Sequence, residues 1–283
     1  MLPLCFLLLQ QVIVIGVDGM SPAGIAKANA PSLAELRARG ASTMHARGVM
    51  PTSSSPNWAS MIMGAGPEQH GVTSNDWEPD KFDIAPSFKG LAGIFPTVFG
   101  ELRSQRPKSV IAVFHDWKGF ARLIEPGIPS VIEHVKGAPE TAGLAVTYLQ
   151  RNKPDLLFIH FDDVDHAGHE IGHGTPQYIA AIEEIDRLIG RVLNALKANG
   201  MAETAAVLVT ADHGGVGKKH GGATMAEIEI PWILAGPGVA KGREIKSAVN
   251  TFDTAPTIAH MLGIKPHPAW IGKPVLEAFA KQR

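Results

Sequence analysis

Val12-Ile13-Val14-Ile15-Gly16-Val17-Asp18-Gly19 is the stretch whose reading decides the fold. An unbroken apolar, largely β-branched run is how a strand buried on both faces reads, because alternation marks a strand with one wet face. Its end at Asp18-Gly19 sets a carboxylate where the chain turns. Similar runs occur at 109–114, 155–161, 205–210 and 231–234. Between them, 31–39, 138–151, 176–198 and 252–262 carry apolar residues at helical spacing. Gly40 follows the first of these where a left-handed C′ residue would sit. Strands alternating with helices predict an α/β fold: a three-layer α/β/α sandwich around a mostly parallel central sheet. No repeat, low-complexity tract or linker interrupts 11–283, which is expected to be a single compact domain without a large cap.

Composition narrows the function classes. Of 283 residues, 45% are hydrophobic and 19% charged, enough apolar matter for a large core. Lys and Arg total 26 against 27 Asp and Glu, so bulk attraction to nucleic-acid polymers or anionic membranes is excluded. The single cysteine, Cys5, excludes a disulfide framework and a cysteine-rich zinc site. Residues 1–10 form an apolar segment too short for a stable membrane span. The segment is similar to the apolar part of a secretory signal, although it has no basic region before it and no A-x-A site after it. Periplasmic or secreted location is the expectation, with a cytoplasmic protein as the alternative. Nothing in the chain dictates an oligomeric state.

Metal-binding residue types collect where strands end. After the first strand comes Asp18; later ends give Asp162-Asp163-Val164-Asp165-His166-Ala167-Gly168-His169 and Asp212-His213-Gly214-Gly215, with His220 soon after. Carboxyl ends of strands in an open α/β sheet converge on one edge, the usual ligand position. Asp165 and His169 are spaced to share one face of a helical turn. Asp oxygen with His nitrogen and no Cys suits zinc, manganese or iron. Asp18, Asp165, His169, Asp212, His213 and His220 make six ligands, enough for two divalent ions with open positions. His160, His166 and His173 read as solvated or hydrogen-bonded bystanders. A hydroxyl cluster, Thr52-Ser53-Ser54-Ser55, precedes Pro56 and the apolar helix 58–63. Hydroxyls there sit at a helix N-terminus, where free N–H groups and the macrodipole favour an ionised nucleophile and phosphoryl oxygens.

In order, Val17-Asp18-Gly19-Met20, Pro51-Thr52-Ser53-Ser54-Ser55-Pro56-Asn57, Pro67-Glu68-Gln69-His70-Gly71-Val72 with Asn75, Asp165-His166-Ala167-Gly168-His169, Ala211-Asp212-His213-Gly214 and His220-Gly221 resemble the alkaline phosphatase superfamily. Within it they resemble type I phosphodiesterase/nucleotide pyrophosphatase. The resemblance implies an alkaline phosphatase-like fold and two divalent ions, zinc or manganese. It implies Ser54 as nucleophile, with Thr52, Ser53 and Ser55 as alternatives. Asp18, Asp212 and His213 would hold one ion, which also touches Ser54; Asp165, His169 and His220 would hold the other. Asn75 would bind a phosphate oxygen, and Asn57 and His70 would support the nucleophile loop. His220 lies seven residues after His213, whereas the large nucleotide pyrophosphatases have a substantial insertion there, so the nucleoside-binding part is expected to be reduced.

The expected function is hydrolysis of a small phosphate ester through a phosphoserine intermediate, with a diester substrate because neutral Asn75 suits one negative charge. The alternatives are a phosphomonoesterase, a phosphonate hydrolase or a phosphoethanolamine-type transferase, and last a non-catalytic metal-binding protein. A Ser–His–Asp hydrolase is disfavoured, because the chain has no G-x-S-x-G elbow.

Overall fold

The computed structural model describes residues 11–280. Its strands are β1 (Gln11–Val17), β2 (Gly40–Arg47), β3 (Ile111–His115), β4 (Val131–His134), β5 (Leu156–Phe161), β6 (Ala205–Thr210), β7 (Glu229–Ala235) and β8 (Arg243–Glu244). They form one eight-stranded sheet in the order β4-β3-β5-β1-β6-β7-β2-β8. Every neighbouring pair is parallel except the two that involve β7. The apolar segment 1–10 lies outside the described residues.

In chain order the helices are α1 (Pro22–Ile25), α2 (Pro31–Arg39), α3 (Ser54–Met63), α4 (Pro67–His70), α5 (Val98–Gln105), α6 (Ala138–Leu149), α7 (Asp163–Glu170), α8 (Pro176–Ala198), α9 (Met225–Ile228) and α10 (Thr254–Leu262). Around α8 pack α1, α2, α6 and α7; a second group joins α3 with α4, α5 and α10. All of β1 and β5 is buried although successive side chains face opposite ways, so helices cover both sheet faces. This is the predicted three-layer, mostly parallel architecture. No helix among the described residues is long and apolar enough to cross a membrane.

Two features of α8 show how helix ends are fixed. Thr175 caps it, the hydroxyl accepting from the Tyr178 N–H at 3.3 Å, with Pro176 in the first turn. Asp186, buried in α8, accepts from the Ser32 and Leu33 N–H groups at 3.0 and 2.7 Å. A carboxylate thus satisfies the N-terminus of α2 and locks the two helices together.

Gly40 departs from expectation. It is extended (φ −140°, ψ −158°) and opens β2 directly after α2 instead of making a left-handed cap. A Cβ there would lie 2.0 Å from the Leu234 carbonyl oxygen, so glycine serves close strand packing against β7. β2, β4 and β8 had no apolar run to announce them; β2 reads Gly-Ala-Ser-Thr-Met-His-Ala-Arg.

Candidate metal centre and nucleophile

β5, β1 and β6 are adjacent and parallel, with Val17 level with Phe161 and Gly16 level with Thr210. Their carboxyl ends therefore deliver Asp18, the Asp162–Asp165 turn and Asp212-His213 to one edge. Gly19 turns the chain at φ +67°, and a Cβ there would stand 2.8 Å from Asp165 Cβ. Only glycine lets Asp165 of α7 lie against this turn. Tyr178 pins the same turn: its hydroxyl donates to the Gly19 carbonyl at 2.7 Å and accepts from the Ser21 N–H at 2.9 Å. The loop after His213 folds back through the Val216–Lys219 bridge and returns His220 to the cluster. Lys218 and Lys219 stay exposed.

The six residues form two groups, each with ligand atoms within 4.8 Å of one another: Asp18, Asp212 and His213, and Asp165, His169 and His220. In the first, His213 Nε2 is 3.3 Å from Asp18 Oδ1 and 3.2 Å from Asp212 Oδ2. In the second, His169 Nε2 is 3.2 Å from Asp165 Oδ2 and 3.0 Å from His220 Nε2. The His213 and His220 rings stack, with centroids 3.8 Å apart, and join the groups.

The histidine tautomers test whether these groups fit cations. Each Nδ1 faces a backbone carbonyl: His213 that of Gly214 at 2.8 Å, His169 that of Lys218 at 3.0 Å, His220 that of Thr52 at 2.9 Å. A carbonyl only accepts, so each Nδ1 carries a proton, and when the ring is neutral its Nε2 lone pair turns inward. Lone pairs then face lone pairs and carboxylate oxygens. Asp18 Oδ1, Asp165 Oδ1 and Asp212 Oδ2 are buried without a hydrogen-bond partner. Acceptors converging on acceptors, each ring oriented from behind, is the donor set of a cation site.

Charge acts accordingly. Burial pushes the Asp18 carboxyl up, but His160 and His213 outweigh it and hold it well below the carboxylate range. Burial and the Asp18 charge push Asp212 well above that range, Asp165 to about 6 and Asp162 to about 8. Burial disfavours the His213 imidazolium, yet Asp212 and Asp18 push it up to about 10. Without cations the cluster therefore retains protons at neutral pH, and a divalent ion must displace them. Cation affinity is expected to rise with pH from about 6, where Asp165 loses its proton, towards about 10, where His213 does. Calorimetric zinc titration in buffers of different ionisation enthalpy should show protons released at pH 7. An enthalpy independent of buffer contradicts this.

The hydroxyl cluster lies at the start of α3, which begins at Ser54 with Pro56 in its first turn. Ser54 Oγ is 3.4 Å from His213 Nε2. The other hydroxyls are placed differently. Thr52 Oγ1 donates to the Gly222 carbonyl at 2.7 Å and accepts from the Gly221 N–H at 3.1 Å, holding the His220 loop. Ser53 is the N-cap residue. Ser55 gives its N–H to Asn75 Oδ1 at 2.8 Å. That bond places the Asn75 amide oxygen on the Ser55 N–H and leaves its NH2 as the remaining donor. Asn57 ties the nucleophile loop, donating to the Val49, Pro51 and Ser53 carbonyls at 3.2, 3.1 and 3.0 Å. His70 Nδ1 accepts from the Val72 N–H at 3.0 Å, leaving Nε2–H to donate to Ser60 at 2.9 Å. Burial holds this ring down to about 3, neutral at working pH.

Sequence reading passed over three groups behind Asp18. The Trp58 indole N–H donates to Asp18 Oδ2 at 3.0 Å. His160 is the hydrogen-bonded kind: its ring lies 3.5 Å from Asp18 Oδ2 and 3.2 Å from Asp116 Oδ1. Burial opposes its charge, but the two carboxylates raise it to about 10, so an imidazolium braces Asp18 from below. The only signal is position, since His160 is the last residue but one of the strand that precedes Asp162. Asp162 also approaches Asp18 and Asp165 as a third acidic group.

Comparison with known proteins agrees with this architecture. The family model for type I phosphodiesterase/nucleotide pyrophosphatase matches residues 12–92 and 104–223. Ectonucleotide pyrophosphatase/phosphodiesterase family member 1 of Mus musculus is 26% identical over 196 residues, 65% of this chain and 21% of that protein. Steryl-sulfatase of Rattus norvegicus is 31% identical over 151 residues, 43% of this chain and 26% of that protein. The chain thus matches about a fifth to a quarter of these relatives' length. The solved structure of murine ectonucleotide pyrophosphatase/phosphodiesterase 5 in complex with AMP superposes with a TM-score of 0.80 at 16% identity, covering 96% of this chain and 100% of that chain. With ordered motifs, a shared fold and a family model spanning most of its length, the chain belongs to the type I phosphodiesterase/nucleotide pyrophosphatase family.

Proposed function

We propose that this chain hydrolyses small phosphodiesters, with Ser54 as nucleophile beside two divalent cations. One observation carries the reading: the Nε2 atoms of three carbonyl-anchored histidines converge with unpartnered carboxylates beside a helix-start serine. Bound cations, zinc or manganese by donor type, would offset negative charge on the phosphate and favour the ionised serine. Asp18, Asp212 and His213 would hold one, in contact with Ser54, and Asp165, His169 and His220 the other.

Ser54 Oγ attacks phosphorus; the Oγ–P bond forms, the P–O bond to one alcohol breaks, and that alcohol leaves with the proton given up by the serine. Water then attacks the phosphoserine, the Oγ–P bond breaks, and a phosphomonoester departs as Ser54 regains a proton. The α3 N-terminus and the Asn75 NH2 face charge on the phosphoryl oxygens. A neutral amide donor matches the single charge of a diester better than the double charge of a monoester. Faster turnover of bis-p-nitrophenyl phosphate than of p-nitrophenyl phosphate is therefore expected, and the reverse order makes the enzyme a phosphatase. AMP in the murine structure supports a nucleotide-like ester as one substrate class. Export is inferred from the apolar start and the "ecto" in the relatives' names; activity confined to the cytosolic fraction of the host would refute it.

A further inference from the structure

Arg122 lies on a single turn, Ala121–Leu123, in the loop after β3. Its neighbours Phe120 and Leu123 are fully buried, and the His115 ring donates to the Trp117 carbonyl at 2.8 Å, so the loop is firmly mounted. The guanidinium makes a fork. Nη2 donates to Ser55 Oγ at 3.1 Å and to the backbone carbonyl of Asn75; Nη1 donates to Glu78 Oε1 at 3.0 Å. Ser55 in turn gives its N–H to Asn75 Oδ1. Three residues thus close a ring beside Ser54, and Asn75 itself sits in an exposed loop outside regular structure.

We propose that Arg122 is the positioning residue for Asn75, holding its donor amide beside Ser54 while Glu78 keeps the guanidinium from the substrate. The inference rests on the phosphodiesterase reading given above. Glu78 is half exposed, so the ion pair adds little stability. Its effect is to match the charge of a guanidinium whose two Nη groups already donate to Glu78, Ser55 and Asn75. An arginine left free there would bind phosphate directly and favour doubly charged monoesters. Tied up, it shapes the pocket and leaves the neutral amide as the anion donor.

The test compares Arg122→Ala, Arg122→Lys, Asn75→Ala and the Arg122→Ala/Asn75→Ala double variant as zinc-loaded protein, with Ser54→Ala as control. Both single alanine variants are expected to lose about tenfold to a hundredfold in kcat/KM for bis-p-nitrophenyl phosphate. The double variant should lose no more than Asn75→Ala, because residues acting as one unit are not additive. Lysine keeps the charge but not the fork and should not restore activity. Hydrogen exchange at the Ser55 amide should quicken at least tenfold in Arg122→Ala, with zinc content unchanged. Multiplying losses, rescue by lysine, or a far larger loss for p-nitrophenyl phosphate than for the diester would each overturn the proposal, the last by placing Arg122 on the phosphate. If Ser54→Ala stays active, the functional reading fails; the Ser55 amide still decides the clamp, and unchanged exchange there overturns it.

Discussion

Ser54→Ala is expected to lower bis-p-nitrophenyl phosphate turnover by at least about 10³-fold, the scale on which loss of a nucleophile shows. Metal content and thermal stability of the loaded protein should stay at the parent values, because Ser54 Oγ makes one long contact, 3.4 Å to His213, and holds no other element in place. Its neighbours behave differently. Ser53→Ala should stay active. Thr52→Ala should weaken the second cation group, because Thr52 grips the Gly221-Gly222 segment and its carbonyl anchors His220. Steady-state kinetics with metal analysis of each variant reads both effects. A Ser54→Ala protein within tenfold of the parent would move the chemistry to another hydroxyl or to direct attack by water.

Asp212→Asn carries the second large effect, and its sign depends on whether cations are bound. Asp212 Oδ1 accepts the Gly19 N–H at 3.1 Å, a bond that asparagine retains. Oδ2 lies 3.2 Å from His213 Nε2 and has no hydrogen-bond partner. Asparagine there removes a carboxyl that burial and Asp18 already disfavour as an anion, and its uncharged amide would hold a cation poorly. The variant should bind zinc at least about 10²-fold more weakly, beyond what loss of a mere orienting group costs. Its cation-free form should melt at or above the cation-free parent. Denaturation scans with and without chelator make the comparison, and destabilisation of both forms alike would give Asp212 a structural role only.

Much of this was legible because burial and chemistry leave local marks. The both-faces-buried run 12–17 announced β1, and Asp165 and His169 announced one face of a turn. What stayed hidden depends on neighbours distant in the chain. No local pattern says that β5 and β6 flank β1, yet that adjacency assembles the cation groups. β2 hides behind polar residues because β7 and β8 supply its partners. Arg122 gives no signal at all: an arginine in a loop is ordinary until Ser55 and Asn75 are found at its fork. The partners of His160 are hidden for the same reason, since its two carboxylates come from the ends of other strands.

Stepwise reconstitution tests the central claim most directly. Chelator-stripped protein is titrated with zinc while bis-p-nitrophenyl phosphate hydrolysis is followed. A two-cation centre gives no turnover in the stripped protein and activity that climbs to a plateau at about two equivalents, with Ser54→Ala binding the same zinc and staying inactive. Undiminished hydrolysis by fully stripped protein, or a plateau reached before any zinc is bound, would contradict it.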